Sequence, residues 1–197
     1  MALSSVQIGN FALAKVGADS TIESLTEDST EAKNVNLWFA FAREETLAAF
    51  NWSFARKRLA LATHGEDAPT GWTYRYIYPS DCIKLRVLEN PLGDTADPVP
   101  FEVETDSDGN KCIVTDLEDA VAVYTFNATN PILYSKYFVE TFATLLASHI
   151  ALPLTGKFQI EEKLKGQFRW MLVFASAMDA SEKQEKPERD SILIRSR

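Results

Sequence analysis

The sequence predicts an α+β fold: a four-helix bundle with an antiparallel β-sheet domain inserted between helices 2 and 3, plus an extended C-terminal arm. Three observations carry this expectation. Apolar residues recur at helical spacing in two early and two late segments, while Pro and Gly cut the stretch between them into short aromatic and β-branched runs. From Ser181 the chain turns too polar to bury, then ends on an apolar triplet. The expected units are 1–58 with 131–181 for the bundle, 59–130 for the insert and 182–197 for the arm.

The first helix starts at Ser4 or Ser5, either of which can cap it, and runs to about Val16, with Ile8, Phe11, Ala12 and Lys15 on one side. Gly17 follows as the residue that enters the left-handed region. Asp28 and Glu31 resemble a capping box for a second helix that runs without Gly or Pro to Phe50. Its stripe is Ala32, Val35, Trp38, Phe39, Ala42, Leu47 and Phe50. Strands are expected at 72–78, 83–88, 101–104, 111–115 and 121–126, with turn chemistry between them and alternation clearest in Trp72, Tyr74, Tyr76 and Tyr78. Together they form a small meander or sandwich. Helical spacing returns from Pro131 through Tyr137, Phe142, Leu146 and Ile150, and Pro153 should end or kink this helix. A fourth helix begins near Phe158, buries Leu164, Phe168, Leu172 and Ala175, and carries Glu161, Glu162, Lys163, Lys165 and Arg169 on its other face.

The 197 residues carry 28 Asp+Glu against 20 Lys+Arg, a formal net charge of -8, and 46% of them are hydrophobic. A sizeable core is available, and disorder of the whole chain is excluded. The acidic balance argues against sequence-independent nucleic-acid binding, which depends on Lys and Arg neutralising phosphates. The surplus is local: residues 64–120 hold 13 acidic and 4 basic residues, net -9, against 15 and 16 in the remaining 140, net +1. Cys82 and Cys112 are too few for a disulfide scaffold and lie in no metal-binding spacing. Met1–Ala18 places Gln7, Asn10 and Lys15 in helical rhythm, without a basic stretch followed by an unbroken apolar run, and Ala143–Leu154 falls short of the ~20 residues that span a bilayer. The expectation is a soluble cytosolic product.

Tests for chemistry leave no catalytic, cofactor or metal site. There is no nucleophile elbow, phosphate-binding glycine loop or His-Glu-x-x-His motif. His64 lies in a Gly-Glu-Asp loop and His149 among leucines, neither with a nucleophile at a recognisable spacing. Asp106, Asp108 and Asn110 open like a calcium loop, but Leu117 stands where a bidentate Glu is required, so a turn between strands explains them better. Glu44 with Glu45, and Glu161 with Glu162, diverge by ~100° around a helix and do not flank one bond. The basic run Arg56, Lys57, Arg58 reads as a subunit contact, with Trp52 and Phe54 as core anchors. The arm, with Arg189, Asp190, Ile192, Leu193, Ile194, Arg195 and Arg197, reads as a partner interface, because an apolar triplet at a solvated end either folds back onto its own helices or docks on a neighbour.

Three stretches carry a family resemblance: Asn10 to Gly17, Asn51 to Ala55, and Tyr76 to Cys82 with Ile83, Leu85 and Arg86. Together with the charged and then apolar ending, and with the order helix-helix-sheet-helix-helix, they resemble the tail tubular protein A family of head-to-tail adaptors of tailed bacteriophages. The resemblance covers nearly the whole chain. It implies a structural virion protein at the head-tail junction, assembled in the host cytoplasm as a ring, usually of twelve copies, between the portal protein and the tail nozzle or tube. Genomic DNA would pass through without specific binding. It also implies an arm that reaches the portal or a neighbouring subunit, no cofactor and no membrane. Some such adaptors are credited with cell-wall degradation, for which no motif is present here. A small α+β binding module and a phage cell-wall-degrading protein are the competing readings.

Overall fold

Helix α1 (Ser5–Val16) begins where the Ser4 side chain accepts from the Gln7 N–H and the Gln7 side chain accepts from the Ser4 N–H, a reciprocal cap. It ends at Gly17, whose φ of 85° closes the last turn onto Leu13 and Ala14. The computed structural model to which this helix belongs describes residues 3–90 and 99–181. The chain is mixed α+β, with four helices and two small antiparallel sheets among the described residues. After α1 come α2 (Thr30–Ala49), six strands, β1 (Arg56–Ala60), β2 (Tyr74–Ile77), β3 (Cys82–Glu89), β4 (Phe101–Thr105), β5 (Lys111–Thr115) and β6 (Val121–Phe126), then α3 (Lys136–Thr155) and α4 (Phe158–Ser181). The connection from 91 to 98 and the whole arm from 182 to 197 lie outside the described residues.

Several expectations are corrected. The cap of α2 is Ser29, which accepts from the Ala32 N–H, and not Asp28, which instead pairs with Lys33 on the surface. Phe11 points away from the core at 48% exposed, and Leu13 and Val16 take the buried side with Ile8 and Ala12. Gly9 lies on that side because a Cβ there would stand 2.9 Å from Val35 Cγ1, so its absence sets how closely α1 approaches α2. The neighbouring Asn10 pairs with the Ile22 backbone through both its amide atoms, at 2.8 and 2.9 Å, and holds the acidic connection between the two helices.

Helix α3 is the hub, and α1, α2 and α4 each pack against it. Phe138, Phe142, Leu146, Ile150 and the small residues Ala143, Ala147 and Ala151 are all buried, so α3 is apolar nearly all round. That is why its 20 residues, at a mean hydropathy of 1.3, are by length and composition enough to cross a bilayer. Here the other three helices fill that environment. Pro153 does not end the helix, which runs on to Thr155 and closes at Gly156 with φ 66°. The Pro lies in the last turn, where losing one backbone donor costs little.

The strands form two three-stranded sheets with orders β1-β6-β3 and β2-β5-β4, all pairs antiparallel. They share one core of Tyr76, Leu85, Leu88, Ile113, Ala122 and Tyr124, in the manner of a small sandwich. The chain passes between the sheets after β1: Leu61 donates to Ala120 in one sheet, and Thr63 bridges Tyr76 in the other. Strand β1 was not expected from the sequence. Its Arg-Lys-Arg run lacks apolar alternation, and it is a strand because β6 pairs it from Arg56 opposite Thr125 to Ala60 opposite Val121.

What joins the sheets to the helices is the C-terminus of α2. No glycine closes this helix, whose cap Phe50 is extended, so its last carbonyls need partners from elsewhere. The indole N–H of buried Trp52 donates to the Thr46 carbonyl at 2.8 Å. The Arg86 guanidinium donates to the carbonyls of Leu47, Ala48 and Phe50 at 3.1, 3.1 and 2.7 Å, and to Thr125 Oγ1 at 2.9 Å. A cation at a helix C-terminus also meets the favourable end of the dipole. Arg86 reaches there because β3 slips register against β6 on either side of it, Leu85 opposing Tyr124 and Val87 opposing Val123. The other slip falls at Ile83, which packs on the helical core. The two β-bulges thus re-aim two residues of β3, Ile83 and Arg86, toward the helices.

Replacing Arg86 with Ala strands three partly buried carbonyls, and the expected loss is about 3 kcal/mol of unfolding free energy. Trp52→Phe removes one such bond together with the five-membered ring of a buried indole and should lose about 2 kcal/mol. Urea unfolding of both variants, followed by circular dichroism, checks the order.

Candidate subunit interface

The most enzyme-like grouping lies beside β2 and the β4–β5 turn, where a cavity of about 570 Å³ is lined by His64, Tyr78, Cys82, Asp106 and Lys111 among others. It gathers a thiol, an imidazole and a carboxylate, but their protons are committed. The Glu66 N–H donates to His64 Nδ1 at 3.0 Å, and His64 Nε2 lies 3.2 Å from Asp106 Oδ2. With Nδ1 accepting from Glu66, the Nε2–H tautomer donates to Asp106, so both ring nitrogens are hydrogen-bonded away from the thiol. Cys82 donates to the Tyr78 hydroxyl at 3.1 Å, and burial pushes both its thiol and the Tyr78 phenol above their ordinary values. This is the opposite of an activated thiolate.

Asp106 organises its turn. It accepts from the N–H groups of Asp108 and Asn110 and from the Asn110 amide, and the Asn110 backbone bond leads in holding its carboxyl below the ordinary value. No group of three or more His, Cys, Asp and Glu among the described residues is arranged to hold a metal ion.

The basic run lies on strand β1 and is occupied within the chain. Lys57 Nζ is 2.5 Å from Asp81, Arg58 makes two bonds to Glu89 at 3.0 and 3.2 Å, and Arg56 Nε reaches Asn51. Burial raises the Asp81 carboxyl, but hydrogen bonds from Lys57 and Tyr124 outweigh that and hold it below its ordinary value, while the Tyr124 phenol is pushed up to about 12. Two acids of the negative segment are therefore neutralised at the first sheet. Among the described residues, further acids of this segment lie on the second sheet and its turns, Glu102, Glu104, Asp108, Asp116 and Glu118 among them. Glu102 and Glu104 stand on the edge strand β4, where charge discourages further strand pairing. The partner-interface residues Arg189, Asp190, Ile192, Leu193, Ile194, Arg195 and Arg197 lie outside the described residues.

The prominent surface is one that sequence reasoning missed. On α4 the charged residues are only part of the outer face; the rest includes Gly166, Trp170, Val173 and Phe174, with Trp170 65%, Val173 70% and Phe174 44% exposed. The Trp170 and Phe174 rings stack at 5.6 Å and 10°, and the Phe174 ring meets Tyr137 of α3 edge-on at 5.7 Å. A second apolar stripe runs along α2, with Leu37 71% and Phe41 54% exposed. The signal was present in the sequence as a second set of apolar residues at helical spacing, offset from Leu164, Phe168 and Leu172.

Beneath the α2 stripe lies His149 of α3. Its ring stacks on Trp38 at 4.7 Å and 9°, the Phe41 edge approaches to 5.6 Å, and Nε2 stands 3.7 Å from Glu45 without a hydrogen bond. Burial leads in lowering its pKa, Lys165 adds to the effect, and Glu45 and Glu161 oppose it. In the comparisons with known proteins, the chain matches no family model and no curated protein.

The depressed His149 pKa makes the unfolded chain the better proton acceptor at and below the ordinary value of 6.5. The contribution is therefore present above pH 6.5 and is lost as pH falls through the lower folded-state value. His149→Gln should flatten that part of the stability profile relative to wild type, measured as urea midpoints from pH 7.5 down to 5.

Proposed function

We propose that the chain is a structural head-to-tail adaptor of a tailed bacteriophage, a virion protein whose copies form a ring, twelve by the resemblance, between the portal and the tail. In this reading α1, α2, α3 and α4 are a four-helix bundle that makes the ring wall, the two sheets are its insert, and the arm from 182 to 197 reaches the portal or a neighbour. The observation that carries the proposal is the exposed aromatic stripe of α4. Stacked Trp and Phe rings in water are unfavourable for a solitary molecule and suit a protein whose helices are covered by other copies.

Two further features support it. The residues that carry the family resemblance are those that build the joint: Asn10 fastens the α1–α2 connection, Trp52 and Arg86 close α2, and Asp81 binds Lys57 and Tyr124. The acidic second sheet suits a wall past which DNA slides, because it presents few cations whose binding would release counterions from the phosphates. In the cavity around His64 and Cys82 the thiol and imidazole are hydrogen-bonded within the chain, which favours a structural role for that cavity.

The test is to mix the purified chain with the portal and determine the mass and symmetry of the product by electron microscopy. A closed ring on the portal supports the proposal; a small oligomer that ignores the portal overturns it. Deleting Ser191 to Arg197 should leave a folded chain that no longer joins the portal, and normal incorporation would remove the arm from the account. DNA binding should be weak and salt-sensitive, with nanomolar affinity at physiological salt counting against a conduit.

A further inference from the structure

The two exposed stripes match each other. Starting from Lys163 on α4, Gly166, Trp170 and Phe174 follow at intervals of three, seven and eleven residues; starting from Glu44 on α2 and running backwards, Phe41, Leu37 and Lys33 follow at the same intervals. Each set lies along one face of its helix and spans the same length. Placed antiparallel, the two helices bring Lys163 to Glu44, Phe41 over Gly166, Leu37 against Trp170 and Lys33 over the ring of Phe174.

We infer that neighbouring copies of this chain meet head to tail, the α4 stripe of one copy packing antiparallel on the α2 stripe of the next. The inference deepens the adaptor reading and rests on it only for the closure of the ring. Shape and charge both favour a second copy as the occupant. Gly166 is exposed, and a Cβ there would meet nothing within 4 Å, so a large ring from outside can settle on the bare backbone. The Lys163 ammonium faces the carboxylate of Glu44, whose side chain is 45% exposed and shares one oxygen with Arg43 and Asn127. Lys33 has only a surface partner, Asp28, and its ammonium suits an aromatic face.

A symmetric pairing of α4 with α4 would instead leave Leu37 and Phe41 in water and set Lys163 opposite no acid of α2. A contact that uses one stripe of each copy is heterologous: it leaves the other stripe of each copy for the next neighbour and so repeats around a ring or along a filament, whereas reciprocal use of both stripes closes a dimer. Covering Leu37, Phe41, Trp170 and Phe174 removes roughly 450 Å² of apolar surface, the centre of a small interface and not of a large obligate one. The chain should therefore be monomeric when dilute and associate when copies are concentrated or held side by side.

Disulfide trapping tests the contact, since Leu37 and Trp170 are exposed and their replacement leaves the core intact. Full-length Leu37→Cys and Trp170→Cys are oxidised separately and as a mixture at high concentration, with the wild-type chain as the background for Cys82 and Cys112. The mixture should give at least ten times more cross-linked dimer than either variant alone, and adding Lys163→Glu to the Trp170→Cys chain should reduce that yield several-fold. A dimer from Trp170→Cys alone in equal yield, or no excess in the mixture, overturns the inference. The two readings fail separately: a ring on the portal without the cross-link removes this contact and keeps the adaptor, whereas the cross-link without a ring keeps the contact and removes the adaptor.

Discussion

Helix α2 ends without a glycine, and everything downstream depends on how its last carbonyls are satisfied. A helix that stops in an extended residue such as Phe50 leaves acceptors that water reaches poorly once sheets cover them. Trp52 takes one, and Arg86 takes three while also bonding Thr125 on the central strand β6. Desolvation lowers the Arg86 pKa, yet a guanidinium stays charged at neutral pH; its Nε–H bonds Thr125, and the two N–H groups of Nη2 are shared among the three carbonyls. Lysine, with three donors on a flexible stem, does not match this geometry.

The same joint explains the irregular strand. A regular β3 would alternate its side chains strictly between the sandwich core and the opposite face. The slips at Ile83 and Arg86 break that alternation and send one apolar and one charged side chain to the helices. Phe126, packed against both cores, and Trp52, ringed by Phe50, Phe54 and Phe138, complete the contact. Such a joint makes one body of two cores.

Legibility in the sequence followed the physics of each element. Strands β5 and β6 and helix α1 were read with their observed bounds, because alternation or capping is local and Gly17 marks a stop. Strand β1 was hidden, since a basic run becomes a strand only through pairing with β6. The cap of α2 was placed one residue early because Asp28 and Ser29 are both competent, and packing chooses between them. The second face of α4 was overlooked because an apolar stripe facing the core already accounted for its helical rhythm. The role of Arg86 was invisible, since its partners are backbone carbonyls distant in sequence.

The central claim is that helices and sheets unfold as one unit through the α2 terminus. Native-state hydrogen exchange of the Val123 and Thr125 amides on β6, compared with the Leu146 and Ile150 amides on α3, tests this most directly. The account predicts one common opening free energy for both sets in the wild-type chain, equal to that of global unfolding. Strand amides that exchange through a separate, lower-energy opening while α3 stays protected would contradict it.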